Sequence, residues 1–187
     1  MNYRRPLTHI AQEILEAHIQ EGDITIDATM GNGHDTLFLA QQVGSSGTVY
    51  GFEVQQQAID SSQRLLDEYE VSDRIKLCAT GHQNMLSNIA NEHHGKISTI
   101  MYNLGYLPGS DKSVTTEAES TLQSLEQSAE LLQKGGIISI MAYRGHAGGL
   151  EETNAVHAWL DQKNHDGFEL DMQESPGPIL YVLKKTS

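Results

Sequence analysis

An α/β fold with a mostly parallel sheet of about seven strands and an antiparallel last strand is predicted by three features of this sequence. Short apolar runs alternate with amphipathic segments along the whole chain. A turn bearing two glycines follows the first apolar run directly. An acid closes the second run about 20 residues later, the spacing of a nucleotide-binding crevice. Finally, the last two apolar runs are joined through Pro176-Gly177-Pro178, with no room for a crossover helix between them, so they must pair antiparallel.

The elements follow in order. Leu7 to Glu21 reads as a helix, with Thr8 as N-cap and Ile10, Ile14, Leu15 and His18 at helical spacing. Asp23 to Ala28 reads as a buried strand, Asp35 to Val43 as a helix, and Gly47 to Phe52 as the second strand. Gln57 to Tyr69 is a helix carrying Ile59, Leu65 and Leu66; Arg74 to Ala79 is a third strand and His82 to Asn91 a short helix. Ile97 to Tyr102 is the fourth strand. Glu117 to Gln133 is an amphipathic helix that the pair Gly135-Gly136 stops. Ile137 to Ala142 is the fifth strand, Gly149 to Gln162 a helix, and Phe168 to Met172 and Ile179 to Leu183 are the closing strands. No repeat or linker divides the chain, so residues 1–187 are expected to form one domain.

Bulk properties narrow the function classes. No apolar run approaches the ~20 residues of a membrane helix, and Met1 to Gln20 lacks a signal-peptide core, so no membrane partner is expected. A single cysteine, Cys78, forms no internal disulfide and fits a reducing, cytoplasmic setting. The net charge of −13 argues against broad charge-driven binding to nucleic acid. It leaves local patches open: Arg4 and Arg5, Lys112, Arg144, and Lys184 with Lys185. Nine histidines raise a metal site, but no HxxxH or HExxH spacing occurs and one thiol makes no cluster, so no metal is expected.

In a sheet of this kind the ligand sits beyond the carboxyl ends of the strands. The first such loop is Asp27-Ala28-Thr29-Met30-Gly31-Asn32-Gly33-His34-Asp35. Gly31 and Gly33 permit a sharp turn and close approach of backbone to ligand, and the helix start adds free N–H groups. The second loop opens at Glu53, where a carboxylate grips a ribose diol. A nicotinamide cofactor would use the same geometry, but its fingerprint wants a third glycine where Thr36 stands. That disfavours a dehydrogenase without eliminating it, and S-adenosylmethionine is the expected cofactor. Asp27, Thr29, Gly31, Asn32, Gly33, Asp35, Glu53, Gln55, and His82 and Gln83 of the third loop are its candidate contacts.

The fourth loop, Asn103-Leu104-Gly105-Tyr106-Leu107-Pro108-Gly109, would lie over the sulfonium. An Asn carbonyl accepts hydrogen bonds from an amine and aims its lone pair at the methyl group; Tyr106 offers a ring to stack a base. Asn103 is thus a candidate for both cofactor binding and catalysis, and Tyr106 for catalysis and substrate binding. The arrangement is similar to the N-P-P-Y element of amino-group methyltransferases, with Leu104 and Gly105 replacing the prolines. Leu104, Gly105 and Pro108, with Arg144 and Gly145 of the fifth loop, are candidate substrate contacts. His146 in that loop is the candidate proton acceptor.

Taken together, these strings and the segment Gly145-His146-Ala147-Gly148-Gly149-Leu150-Glu151-Glu152 resemble the small bacterial rRNA methylase family over nearly the whole chain. The resemblance implies a Rossmann-like class I methyltransferase. It also implies a reaction: methylation of 5-aminomethyl-2-thiouridine, in the anticodon region of tRNA, to its methylamino form. Two residues depart from the common pattern: Glu53 stands where Asp is more frequent, and Thr29 replaces the first glycine of the general methyltransferase turn. A small-molecule N- or O-methyltransferase and a non-catalytic S-adenosylmethionine-binding protein are the alternatives, and a homodimer is a candidate assembly.

Overall fold

The computed structural model describes residues 5–105 and 115–187. Seven strands form one sheet in the order β3-β2-β1-β4-β5-β7-β6. They are β1 (Ile24–Asp27), β2 (Thr48–Phe52), β3 (Ile75–Cys78), β4 (Ile97–Leu104), β5 (Leu132–Tyr143), β6 (Phe168–Glu174) and β7 (Pro178–Lys185). The first five pair parallel. β7 runs antiparallel between β5 and β6, which makes the last strand the reversed one, as expected. The alternation along β4 sorts the two faces. Ile100 and Tyr102 enter a core with Met85, Leu125, Val156 and Trp159, and Met101 enters a second core with Leu15, Leu39 and Leu66.

Those cores bring the helices: α1 (Leu7–Glu16), α2 (His34–Val43) and α3 (Gln56–Glu68) on one face, and α4 (Met85–Asn88), α5 (Ala118–Leu131) and α6 (Gly149–Lys163) on the other. Helix α1 also seals the far end through Leu7 and Ala11, which pack on Met141 and Leu180.

Four boundaries differ from the sequence expectation. Helix α1 follows Pro6, so Thr8 lies inside the first turn rather than capping it, and the helix closes at Glu16. The expected helix from His82 is one 3-10 turn followed by the short α4. Gly135-Gly136 do not stop α5, which ends at Leu131; they lie inside β5. Gly135 takes φ +82°, and the pairing of β4 with β5 jumps there from Leu132 to Ile137. The glycines thus form a bulge that lets a strand begin directly at a helix end. Lastly, β4 runs on to Leu104, with Asn103 opposite Met141, so Asn103 is held in the sheet rather than in a loop.

The order of the sheet reverses between β1 and β4, whose onward connections lead to helices on opposite faces. That is the switch point where such sheets bind ligands.

Candidate active site

An open cleft of about 1060 Å³ lies at this switch point. It exceeds the usual range for a single small ligand, leaving room for two reactants side by side. Its walls come from all five predicted loops and from Thr8 of α1.

The first loop is built on Asp27, which is fully buried. One carboxylate oxygen accepts the Thr29 N–H at 3.2 Å and the other the Thr36 hydroxyl at 2.7 Å. Burial, reinforced by the charge of Asp35, pushes the Asp27 carboxyl up to about 7, against the lowering effect of those bonds. Asp27 therefore shapes the turn and does not face the cleft. Gly33 is also withdrawn: it begins α2 at φ +85°, and a Cβ there would meet the Ser62 Cβ at 2.9 Å. Between them, Thr29, Met30, Gly31, Asn32, His34 and Asp35 line the cleft.

Glu53 lines it too, but it already accepts three backbone N–H groups: Gly31 at 3.0 Å, and Val54 and Gln55 at 2.8 Å each. A carboxylate has about four acceptor positions, so one remains, on the oxygen that holds Gly31. The sequence expectation of two bonds to a diol thus reduces to one without rearrangement. Gln55 stands beside it at the start of α3.

From the third loop, His82 and Gln83 reach the cleft. The His82 ring is edge-on to Tyr102, and its Nδ1 lies 3.1 Å from the Ala28 carbonyl. Burial drives its pKa down, so the ring is neutral. With the Nδ1 proton directed at the Ala28 carbonyl, Nε2 is a buried acceptor with no hydrogen-bond partner among the described residues.

The fourth loop meets the first through Asn103. Its backbone N–H donates to the Thr29 hydroxyl at 2.7 Å, and its side-chain Nδ2 donates to Asp35 Oδ2 at 2.5 Å. This sets the amide's orientation and turns Oδ1, the acceptor, away from Asp35. Asp35 also accepts a long 3.5 Å bond from Gln12 of α1. Burial raises the Asp35 carboxyl above its ordinary value, while Gln12, His34 and Asn103 lower it. Leu104 and Gly105 continue the wall. Tyr106, Leu107, Pro108, Gly109 and Lys112, like Arg4, lie outside the described residues.

In the fifth loop Gly145 and His146 line the cleft beside Tyr143. His146 Nδ1 sits 3.0 Å from the Ala147 carbonyl and 3.5 Å from the Thr115 hydroxyl. Arg144 faces the cleft, yet its guanidinium donates to the carbonyls of Ser175 (2.8 Å) and Gly177 (3.3 Å). It therefore serves first to hold the β6–β7 turn. A further residue escaped the sequence reading of this motif. Glu152, 3% exposed, accepts the Thr116 hydroxyl at 2.7 Å and the Thr121 hydroxyl at 2.6 Å, joining α6 to the chain that enters α5. Thr8, Gln12, Tyr143 and Thr115 were also missed; α1 reaches the site only through tertiary packing, which leaves no local signal.

Comparison with known proteins agrees with this architecture. Residues 49–176 match the family described as "Putative rRNA methylase". The chloroplastic tRNA (mnm(5)s(2)U34)-methyltransferase of Arabidopsis thaliana is 39% identical over 164 residues, covering 83% of this chain. The chain spans 59% of that relative's length. Two crystal structures align almost end to end. A Clostridium thermocellum protein described as a "putative rRNA-methylase" has 35% identity and a TM-score of 0.91, covering 99% of this chain and all of that one. A Streptococcus mutans "putative methyltransferase", solved in complex with SAH, has 30% identity and a TM-score of 0.84, with coverage of 97% and 98%. With its strand order, its switch-point cleft and this match over most of its length, the chain belongs to the rRNA methylase family and has the Rossmann-like fold of class I methyltransferases.

Proposed function

We propose that this chain is an S-adenosylmethionine-dependent N-methyltransferase acting on the aminomethyl group of the modified wobble uridine in the tRNA anticodon region. The product is the 5-methylaminomethyl-2-thiouridine form. The observation that carries the reading is Asn103, held at the end of β4 by Thr29 and Asp35 with its amide carbonyl left to accept. An amine donor is what such an acceptor matches, and a non-catalytic binding module has no use for it.

The residues fit the cofactor. Adenine presents polar edge atoms, and His82 and Gln83 of the third loop line the cleft where that edge would lie. Glu53 retains one acceptor position for a ribose hydroxyl, and Thr29, Gly31, Asn32, Gln55 and Gln83 surround the same space, whereas Asp35 lies against Asn103. When bound, S-adenosylmethionine supplies a methyl group on a positive sulfonium. The protein's part is positioning. Asn103 orients the amine; Leu104, Gly105, Gly145 and His146 bound the acceptor side; Arg144 fixes that wall through the hairpin. Cys78, buried and single, accords with a cytoplasmic, reducing setting.

One observation favours a second reading, a small-molecule acceptor. Arg144 is bonded internally and the chain carries −13 net charge, so phosphate contacts near the cleft are few among the described residues. A homodimer would supply such contacts from its second copy. Mass spectrometry of tRNA nucleosides from a strain lacking the protein separates the readings. Accumulation of the unmethylated aminomethyl nucleoside is expected; an unchanged profile would favour the small molecule. With purified protein, Asn103→Ala should slow single-turnover methylation by about 10²-fold or more while S-adenosylhomocysteine affinity stays near wild type.

A further inference from the structure

The amine that the proposed reaction methylates is an alkyl amine, protonated at neutral pH much as a lysine is. It enters with three N–H donors and no lone pair. The cleft therefore needs a group that accepts its proton, close to Asn103. We infer that Asp35 is that group: a catalytic base that, with the Asn103 carbonyl, cradles the incoming ammonium. The inference rests on the amine-methylation reading and assigns its proton acceptor.

The geometry is specific. Asp35 lines the cleft at the first turn of α2, and its Oδ2 accepts from Asn103 Nδ2. The two side chains are thus clamped to each other, and both line the cleft. Glu53, at the end of β2, has three of its acceptor positions filled by backbone N–H groups. Asp27 is sealed away from the cleft. Around Asp35, the titratable groups are Asp27 from β1, Tyr143 from β5 and His34 on its own helix, with neutral Gln12 from α1 and Asn103 from β4. Burial lifts the Asp35 carboxyl toward the working pH, which suits a base.

The step balances as follows. An N–H bond of the substrate ammonium breaks and an O–H bond forms on Asp35, leaving a neutral amine with a lone pair. That pair forms the N–C bond to the methyl of the sulfonium donor, while the C–S electrons return to sulfur as a neutral thioether. The product is a secondary ammonium, and Asp35 releases its proton to solvent. One proton leaves per turnover.

The test uses the full chain, with tRNA carrying the unmethylated aminomethyl nucleoside. Asp35→Asn keeps the shape and a partner for Asn103 but cannot take a proton. Its expected result is S-adenosylhomocysteine affinity within about twofold of wild type by calorimetry. Single-turnover rate at pH 7 should fall about 10²-fold or more. That rate should then climb about tenfold per pH unit, as deprotonation from solvent replaces the base. Asp35→Glu should recover part of the rate. A tenfold loss of S-adenosylhomocysteine affinity with normal turnover of the saturated complex would overturn the inference, because Asp35 would then hold the cofactor's own ammonium. A normal rate in Asp35→Asn would overturn it equally. If that variant fails to fold by thermal melting, wild type and Asp35→Glu decide. An ascending pH limb that shifts with the longer acid supports the base, and an unshifted limb refutes it. Wild type that methylates no such tRNA marks failure of the underlying reading instead.

Discussion

Glu152→Ala offers a stringent measure of how the substrate side of the cleft is held. The carboxylate is 3% exposed and receives two hydroxyl donors, from Thr116 and Thr121. Each hydrogen bond to a charged acceptor contributes about 1.5–3 kcal/mol, and its place in the first turn of α6 adds about 0.3–1 kcal/mol. Against this, removal relieves the cost of burying a carboxylate, which is several kcal/mol before compensation, on the order of the bonds themselves. Thr121, fully buried, is left with an orphaned hydroxyl. With bonds and burial cost offsetting, the orphaned hydroxyl and the lost helix-start charge leave a net loss of about 1–3 kcal/mol, or roughly 6 °C in Tm at about 3 °C per kcal/mol for a chain of this size. Glu152→Gln keeps one acceptor and presents a donor that a threonine oxygen accepts, so it should lose about half as much. Denaturant titration and thermal melting of the three proteins read this directly. A Glu152→Ala Tm within about 2 °C of wild type would refute the reasoning and mean that water replaces the carboxylate at no cost.

Other outcomes are equally direct. Glu53→Ala should weaken S-adenosylhomocysteine binding by about 1.5–3 kcal/mol, tenfold to a hundredfold in Kd, by calorimetry; unchanged affinity removes Glu53 from the ribose site. The Asp27 carboxyl, raised from 3.8 to about 7, holds a proton in the fold that the unfolded chain has released. Stability should therefore fall as pH rises from about 4 to about 7, by up to about 1.4 kcal/mol per pH unit. Asp27→Asn, which keeps an acceptor for Thr29, should flatten that slope in denaturant titrations across this range.

The parts of the site legible in sequence were those built from neighbours along the chain. Gly31 and Glu53 lie where strand ends and turns put them, because a βαβ unit constrains about 30 residues to one geometry. Packing decided the rest. Nothing local distinguishes Asp27, sealed beneath the turn, from Asp35, which faces the cleft; only the closure of α2 over Thr36 separates them. Gln12 and Thr8 belong to a helix whose apolar stripe announces burial but not which strand end it overhangs. Gly135-Gly136 looked like a helix stop since glycine ends helices and makes bulges for the same reason, its tolerance of positive φ. Arg144 read as a phosphate contact, and the hairpin that takes up its guanidinium comes 30 residues later.

The hydroxyl of Thr29 has an implication for how such a site can change over time. It accepts the Asn103 backbone N–H, so the cofactor turn and the end of β4 share one hydrogen bond. A glycine at position 29, common elsewhere in the fold, would orphan that N–H. Substitutions in the two segments should therefore be epistatic, each tolerated or harmful depending on the other. A lineage that exchanges its acceptor by remodelling the segment after Asn103 inherits a cofactor turn already tuned to the old one. Within the described residues, the tie through Thr29 makes the end of β4 and the cofactor turn change together or not at all.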